Sequence, residues 1–308
     1  MLGAMVSEEL AMRVFLTGAT GFIGSTLIPE LKAAGHDVLG LARSDENAAR
    51  LEAMGVGVHR GDLTAPETLA AGAAACDATI HCGFIHDFSR FMENIAIDRA
   101  AVEAMLAAME GSGKPFLLTS GVLMVDAGRE ATEEDAPSLE GPGAGRGATE
   151  LAAQAFAERG VRAMIVRLPQ VHDTEKQGLV SYAIEIAREK GVSAYVGDGS
   201  NRWAAAHVSD VARLYRLALE KGEAGACYHA VGESGVPMRA VAEAVGKRVG
   251  VPTVSIAPDE AFAHFGFVGM FALRDAPVSS RLTRERLGWA PTGPGLIADL
   301  EARQAAAV

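Results

Sequence analysis

The chain has 308 residues, of which 49% are hydrophobic and 22% charged, with a formal charge of −11 at pH 7. This acidic balance disfavours nucleic acid and anionic membranes as partners, since both repel a negative protein on average. No apolar run approaches the roughly 18 residues of a membrane-spanning helix. The 3 cysteines form no Cys-x-x-Cys pair or Cys/His cluster. We therefore expect a soluble cytoplasmic protein without structural zinc or any other metal site.

Apolar and helical segments alternate through the first half of the chain. Short apolar runs predict strands over residues 12–17, 37–42, 57–62, 78–82, 115–119 and 162–167. Helical spacing predicts helices between them, including residues 94–109 and 148–159. Because the strands are almost continuously apolar, the pattern predicts a parallel sheet covered on both faces. Right-handed crossovers make this a doubly wound, Rossmann-like α/β fold.

The regular alternation of predicted strands and helices ends after Pro169. Helices are predicted over residues 179–190, 208–220 and 238–249, and they indicate a smaller, mainly helical lobe that caps the sheet. Residues 126–147 are acidic, rich in Gly and Pro, and without periodicity. We interpret them as a long mobile loop, a type of segment that is often functional.

A glycine-rich turn follows the first predicted strand and opens the first helix. Its glycines are Gly18, Gly21 and Gly24. Glycine lets backbone N–H groups approach a pyrophosphate at a helix N-terminus, so the turn predicts a dinucleotide site that includes Thr20, Phe22 and Ile23. A plain tight turn is the alternative, but it would not need three glycines at this spacing.

The end of the second predicted strand indicates which dinucleotide is preferred. An NAD site usually carries Asp or Glu about 20 residues after the glycine turn. Here Arg43 and Ser44 occupy that place, and a guanidinium suits a ribose 2′-phosphate. We therefore expect NADP(H) to be preferred over NAD(H). The alternative is that Arg43 is a solvated charge beside Asp45 and Glu46.

The turn, Thr17-Gly-Ala-Thr-Gly-Phe-Ile-Gly24, resembles that of the extended and atypical short-chain dehydrogenase/reductases, including the epimerase/dehydratase group. The resemblance covers nearly the whole chain, and His207-Val-Ser-Asp210 is similar to a motif of the family's later lobe. It implies further cofactor contacts by Asp62, Leu63, Cys82, Gly83, Leu168 and Pro169. Residues 1–11 carry Glu8 and Glu9 where a secretory signal would be basic, so we interpret them as a flexible leader that precedes the NAD(P)-binding Rossmann domain of residues 12–168. Residues 169–308 are then mostly a substrate-binding cap, with some segments that return to the sheet.

The family's usual catalytic residues are missing. The family acts through Ser or Thr, Tyr and Lys, but the hydroxyl position falls on Gly121, with Ser120 one residue short. The Lys position falls on Arg146 and the Tyr position on Pro142, and no Tyr precedes Tyr182. Arg146 can bind the ribose and stabilise an oxyanion. It is a poor proton donor, because a guanidinium stays charged.

Other residues are candidates for the missing roles. His86 follows the fourth predicted strand, and imidazole suits proton transfer near neutral pH; an ordinary surface histidine is the equal alternative. His172, Tyr182 and Trp203 are candidate substrate contacts, with packing as the alternative for each.

These residues favour an NADP(H)-dependent oxidoreductase that acts on a small carbonyl, enone or imine compound. Arg146, His86 and Ser120 would form its non-standard catalytic set. A sugar-nucleotide epimerase or dehydratase is one alternative, and a non-catalytic NADP-sensing regulator is another. The family often forms dimers through helices, so the Ala-rich segments 100–108 and 148–156 suggest a homodimer.

Overall fold

The computed structural model describes residues 11–141 and 143–302. Pro142 and, apart from Ala11, the predicted leader lie outside these residues. The strands are Arg13–Thr17 (β1), Asp37–Ala42 (β2), Gly57–Arg60 (β3), Ala78–His81 (β4), Pro115–Gly121 (β5), Arg162–Leu168 (β6), Gln170–His172 (β7), Ser193–Val196 (β8), Arg202–His207 (β9), Cys227–His229 (β10), Glu233–Pro237 (β11) and Thr253–Ile256 (β12).

Helices connect most of these strands. They are Phe22–Ala33 (α1), Asp45–Ala53 (α2), Pro66–Ala74 (α3), Phe91–Ala108 (α4), Ala144–Ala155 (α5), Val180–Lys190 (α6), Val208–Lys221 (α7), Met238–Val249 (α8), Ala261–Phe265 (α9), Gly269–Ala272 (α10), Arg281–Leu287 (α11) and Leu296–Ala302 (α12). Within the described residues, no helix is long and apolar enough to cross a membrane.

The main sheet has seven strands in the order β10-β6-β5-β4-β1-β2-β3. β1 pairs in parallel with β2 and with β4, so the chain crosses over between β3 and β4. Ligands of such sheets bind outside the carboxyl ends of the strands at this switch point. The order confirms the predicted doubly wound α/β fold.

The first strand and helix show why this sequence folds locally in this way. Val14, Phe15 and Leu16 of β1 are completely buried, as expected for a strand covered on both faces. Leu27 and Leu31 lie one turn apart on α1, and both are buried against the sheet. Burying each of these side chains contributes about 1.5–3 kcal/mol, so the apolar pattern alone specifies the β1–α1 unit.

The chain divides into two compact units. The first comprises Met1–Thr119, Ala148–Ile165 and Ala212–Ala226. The second comprises Ser120–Gly147, Val166–Val211 and Cys227–Val308. The assignment of residues 12–168 to the nucleotide and of residues 169–308 mostly to the substrate stays a prediction.

The second unit contains strands that the sequence analysis did not predict. They form a three-stranded sheet in the order β11-β9-β7 and a two-stranded sheet of β12 and β8. Each is short, from three to six residues, and short strands leave little periodicity to recognise. The helices α6, α7 and α8 lie close to their predicted positions.

The acidic segment 126–147 is held by contacts from distant parts of the chain. Just before the segment, the Arg274 guanidinium donates hydrogen bonds to the carbonyls of Leu123 and Val125, at 2.7 and 3.0 Å. Arg167 donates to the Asp135 carbonyl at 2.8 Å, and Ala131 forms a β-bridge with Val278. The composition of the segment alone predicts a mobile loop. It gives no sign of these contacts, because the residues that make them come from elsewhere in the sequence.

Candidate functional site

The glycine turn closes tightly against the end of β4. Gly18 has a φ of +66°, and a Cβ atom there would lie 2.7 Å from the carbonyl carbon of Cys82. A Cβ atom on Gly24 would lie 2.2 Å from the carbonyl oxygen of Gly18. Both distances are far below a normal contact, so neither position admits a side chain without moving the backbone.

The N-terminus of α1 is suited to an anion. Gly21 is the N-cap residue, no side chain caps the helix, and its first turn contains no acidic residue. Exposed amides at a helix N-terminus, together with the helix dipole, favour a phosphate group. The turn and helix therefore fit the diphosphate of a dinucleotide, with Thr20, Phe22 and Ile23 beside it.

A buried chain of hydrogen bonds fixes the strand ends beneath this turn. The Gly83 amide donates to Thr17 Oγ1 at 3.0 Å, and Thr17 Oγ1 lies 2.8 Å from His81 Nδ1. His81 Nε2 lies 3.1 Å from Asp98 Oδ1. With a neutral imidazole, the Thr17 hydroxyl donates to Nδ1 and Nε2–H donates to Asp98. These hydrogen bonds thereby hold β1, β4 and α4 together next to Gly18.

Leu63 and Asp62 lie beside the same strand ends. A Cβ atom on Gly83 would be 3.3 Å from Leu63 Cδ2, which places Leu63 against the backbone after β4. Asp62 accepts hydrogen bonds from the backbone amide and hydroxyl of Thr64 at 2.8 and 2.7 Å. Burial opposes ionisation, but these hydrogen bonds and the Arg43 charge lower the pKa of Asp62 overall. Asp62 is therefore an anion at neutral pH.

Arg43 and Ser44 occupy the place expected for a ribose contact. The Arg43 side chain is 73% exposed, and its Nε lies 3.7 Å from Asp62 Oδ2. Ser44 caps α2 by accepting the Asn47 amide at 3.2 Å. The sequence analysis missed Arg50, whose guanidinium donates to the Thr20 carbonyl at 3.4 Å. A second cation thus lies at the glycine turn. The sequence signal that could have indicated it was a second arginine seven residues after Arg43, on the helix that follows β2.

The Cys82 thiol belongs to a hydrogen-bonded group at the ends of β4 and β5. Thr119 Oγ1 donates to Cys82 Sγ at 3.4 Å and lies 2.6 Å from the Tyr215 hydroxyl. Burial raises the pKa of Cys82 to about 11, although the two hydroxyls oppose the shift. The side chain is therefore a neutral thiol, and only the Cys82 backbone faces the glycine turn.

His86 lies on the exposed loop that follows β4. Its ring packs edge-to-face against Phe84, with ring centroids 5.5 Å apart. The buried Asn94 side chain donates to the Asp87 carbonyl at 2.7 Å and so fixes the end of this loop. The first unit therefore presents an accessible imidazole on a loop anchored by α4.

The other predicted catalytic and nicotinamide contacts belong to the second unit. Ser120 is buried near the end of β5, and Arg146 is half-buried on α5. A Cβ atom on Gly121 would lie 3.8 Å from the Leu168 carbonyl oxygen, so the ends of β5 and β6 adjoin there. Pro169 follows and is buried. The catalytic roles of Ser120 and Arg146 stay predictions.

The predicted substrate contacts also lie in the second unit, in three different environments. His172 is completely buried and its Nδ1 lies 2.7 Å from Asp299 Oδ2. Burial lowers the pKa of His172, although Asp299 opposes the shift, and this geometry favours packing. Trp203 is buried among apolar side chains. Tyr182 is partly exposed and packs edge-to-face on Phe267, with ring centroids 5.4 Å apart.

The strand order, the uncapped α1 and the two crowded glycines define the class of Rossmann dinucleotide-binding proteins. No group of three or more His, Cys, Asp or Glu side chains could hold a metal ion in the part of the chain that the structure describes. The groups of this site that could bind an anionic cofactor are the backbone amides at the start of α1 and the guanidinium groups of Arg43 and Arg50.

Comparisons with known proteins agree with this class. The sequence profile of the NAD dependent epimerase/dehydratase family matches residues 14–231. An uncharacterized protein of Saccharomyces cerevisiae is 46% identical over 294 residues, covering 94% of this chain and 98% of that protein. A 2-alkyl-3-oxoalkanoate reductase of Stenotrophomonas maltophilia is 28% identical over 267 residues, covering 79% of this chain and 77% of the reductase.

Solved structures show the same fold. A double mutant of the dTDP-glucose 4,6-dehydratase DesIV from Streptomyces venezuelae, with NAD bound, has a TM-score of 0.75 at 20% identity and covers 96% of both chains. The chain belongs to the NAD dependent epimerase/dehydratase family, as the family profile and the yeast relative establish.

Proposed function

We propose that this chain is an NADP(H)-dependent oxidoreductase that acts on a small carbonyl compound or on a related enone or imine. The observation that carries the proposal is the exposed Arg43 guanidinium at the end of β2, where an NAD site would have an acid. Arg50 adds a second guanidinium at the glycine turn. Two cations in this position favour the extra phosphate of NADP(H).

The residues of the chain divide the work in the proposed reaction. Bound NADPH would supply the hydride that reduces the substrate. The amides of α1 bind the diphosphate, Arg43 binds the 2′-phosphate, and Arg146 stabilises the ribose or the developing oxyanion. His86, or water in its place, supplies the proton that the oxygen or nitrogen of the substrate takes up. An activated enone or imine suits this set, because less depends on a strong proton donor.

The cofactor preference is tested by calorimetric titration of the purified chain with NADPH and with NADH. Wild type is expected to bind NADPH more tightly. Arg43→Ala is expected to weaken NADPH binding about 10-fold, because a hydrogen bond to a charged group contributes about 1.5–3 kcal/mol and this site is exposed. NADH binding should not change. Arg188→Ala is the matched control, since Arg188 is another exposed arginine in an ion pair, with Glu185, and belongs to α6. Equal losses for both cofactors would contradict the proposed role of Arg43.

The catalytic residues are tested on a substrate confirmed from a panel of ketones, enones and imines. The double variant His86→Asn with Arg146→Ala is expected to lower kcat at least 100-fold, because general acid catalysis alone contributes about 10²–10⁴. Thermal unfolding of the variant controls for folding. Unchanged turnover would remove both residues from the mechanism.

A non-catalytic NADP sensor is the second candidate. It is favoured by Gly121 and Arg146 at positions where the family carries a hydroxyl and a lysine, and by the absence of Tyr from the chain before Tyr182. The two candidates are separated by NADPH absorbance in the presence of the substrate panel. Tight NADPH binding without any decay of absorbance favours the sensor.

A homodimer formed through α4 and α5 accompanies the proposal. Ala96 and Ala100 are exposed one turn apart on α4, and small side chains allow close helix approach. Size-exclusion chromatography with light scattering measures the mass, for which the monomer is 32.0 kDa. A monomeric mass across the concentration range would exclude the dimer.

A further inference from the structure

A small cavity lies inside the second unit, bounded by α6, α8 and residues 258–272. It measures about 30 Å³, which exceeds the roughly 10–15 Å³ that a cavity needs to hold a water molecule. Its lining is mostly apolar and includes Leu179, Val180, Val241, Phe265, Val268 and Ala272.

Three polar side chains interrupt this apolar lining, and one of them, Ser193, already donates its hydroxyl to the Ala242 carbonyl at 2.8 Å. Trp203 is 2% exposed, and its indole Nε1 has no hydrogen-bond partner among the described residues. His264 Nε2 is also buried without a partner in the described part of the chain. An indole N–H can only donate, and a buried donor without an acceptor is costly. An acceptor oxygen inside the cavity would remove that cost.

The outer wall of the cavity is built from very short helices. α9 has five residues and α10 has four, and Gly266 separates them with a φ of +57°. Phe262 and Leu273 are 67% and 51% exposed on this segment. Short helices with few backbone hydrogen bonds open at a low free-energy cost, and a ligand larger than one water molecule would enter by opening this wall.

We propose that this cavity binds the aliphatic end of a ligand that carries one hydrogen-bond-accepting oxygen, with Trp203 Nε1–H as the donor. The apolar lining contacts the methyl and methylene groups. Burial, aided by Lys190, lowers the pKa of His264, so this ring is neutral at pH 7 and adds no charge to the cavity. The proposed function adds one point, the identity of the ligand as the substrate, which would be an aliphatic carbonyl compound or its alcohol. The cavity and its Trp203 donor do not depend on it.

The test uses the full chain without cofactor, titrated by calorimetry with acetone, 2-butanone and 2-pentanone. Saturable binding is expected, with affinity rising about fourfold for each added CH₂ group. Trp203→Phe keeps an aromatic ring and removes the donor. It is expected to weaken ketone binding about three- to tenfold relative to the binding of pentane, which has no oxygen and therefore reports only the change in cavity size.

Two variants in which leucine replaces an alanine test whether the ligand binds in the cavity. Ala183 lines the cavity, so Ala183→Leu fills it and is expected to abolish binding of both ketones and pentane. Ala240→Leu is the control, because Ala240 is on α8 but outside the lining, and binding should not change. Thermal unfolding shows that each variant is folded.

The results separate this inference from the proposed function. Absence of saturable ketone binding, or unchanged binding by Ala183→Leu, would overturn the inference, and the cavity would then hold only water. NADPH binding by the same preparation tests the proposed function independently, since it does not require the cavity.

Discussion

The glycine turn permits a sharp test, because its two helix glycines are crowded to very different degrees. A Cβ atom on Gly24 would be 2.2 Å from the Gly18 carbonyl oxygen, whereas one on Gly21 would be 3.1 Å from the same oxygen and meet nothing else within 4 Å. Gly24→Ala therefore perturbs both the fold and the ligand site. Gly21→Ala perturbs mainly the space that the diphosphate would occupy.

The magnitude follows from how little the turn can move. A carbon–oxygen contact needs about 3.3 Å, so Gly24→Ala must displace the Gly18 carbonyl by about 1 Å. That carbonyl accepts the Gly21 amide at 2.9 Å, and Gly18 is itself wedged against Cys82. Overpacking of this kind costs about 1–3 kcal/mol. A 1 Å shift also misaligns the amides that would bind the diphosphate.

The assays are urea unfolding followed by circular dichroism, and calorimetric titration with NADPH. Gly24→Ala is expected to lose about 1–3 kcal/mol of unfolding free energy and its NADPH binding. Gly21→Ala is expected to stay within about 1 kcal/mol of wild type and to bind NADPH at least 10-fold more weakly. Wild-type stability and affinity in Gly24→Ala would refute this account of the turn.

Two further predictions concern charges. Asp62→Asn is expected to weaken NADPH and NADH binding alike, by about two- to tenfold, because the family resemblance places Asp62 at the adenine that both cofactors share and a hydrogen bond contributes about 0.5–1.5 kcal/mol; a change confined to NADPH would show that Asp62 acts only through its ion pair with Arg43. Burial lowers the pKa of His229 to about 4, so the unfolded chain binds more protons between about pH 6.5 and 4, and stability should fall as the pH drops through that window. His229→Gln is expected to flatten this fall in urea unfolding at several pH values, and an equally steep fall would show that other groups cause it.

The sequence analysis recovered the features that are local in the chain. β1, the glycine turn and α1 are adjacent, so apolar spacing and three glycines were enough to predict them. The end of β2 was recognised in the same way, because Arg43 replaces an acid at a fixed distance from Gly24.

The features that it missed depend on residues far apart in the sequence. Thr17 and His81 become neighbours through the parallel pairing of β1 with β4, and Asp98 joins them from α4. Arg50 reaches Thr20 only after α2 has packed beside the turn. Composition and periodicity carry no information on such pairs, so one sequence read by itself could not predict them.

The missing tyrosine narrows the chemistry that the first unit can perform. Tyr215 does not replace it, because its side chain is 0% exposed and its hydroxyl is engaged with Thr119. Burial raises the pKa of the Cys82 thiol to about 11, so that the thiol is neutral. The Thr17–His81–Asp98 chain has the order of a hydroxyl–imidazole–carboxylate triad, but all three side chains are buried, so no substrate can reach it. His86 is the accessible group of these, and proton transfer in the proposed reaction therefore depends on that imidazole or on water.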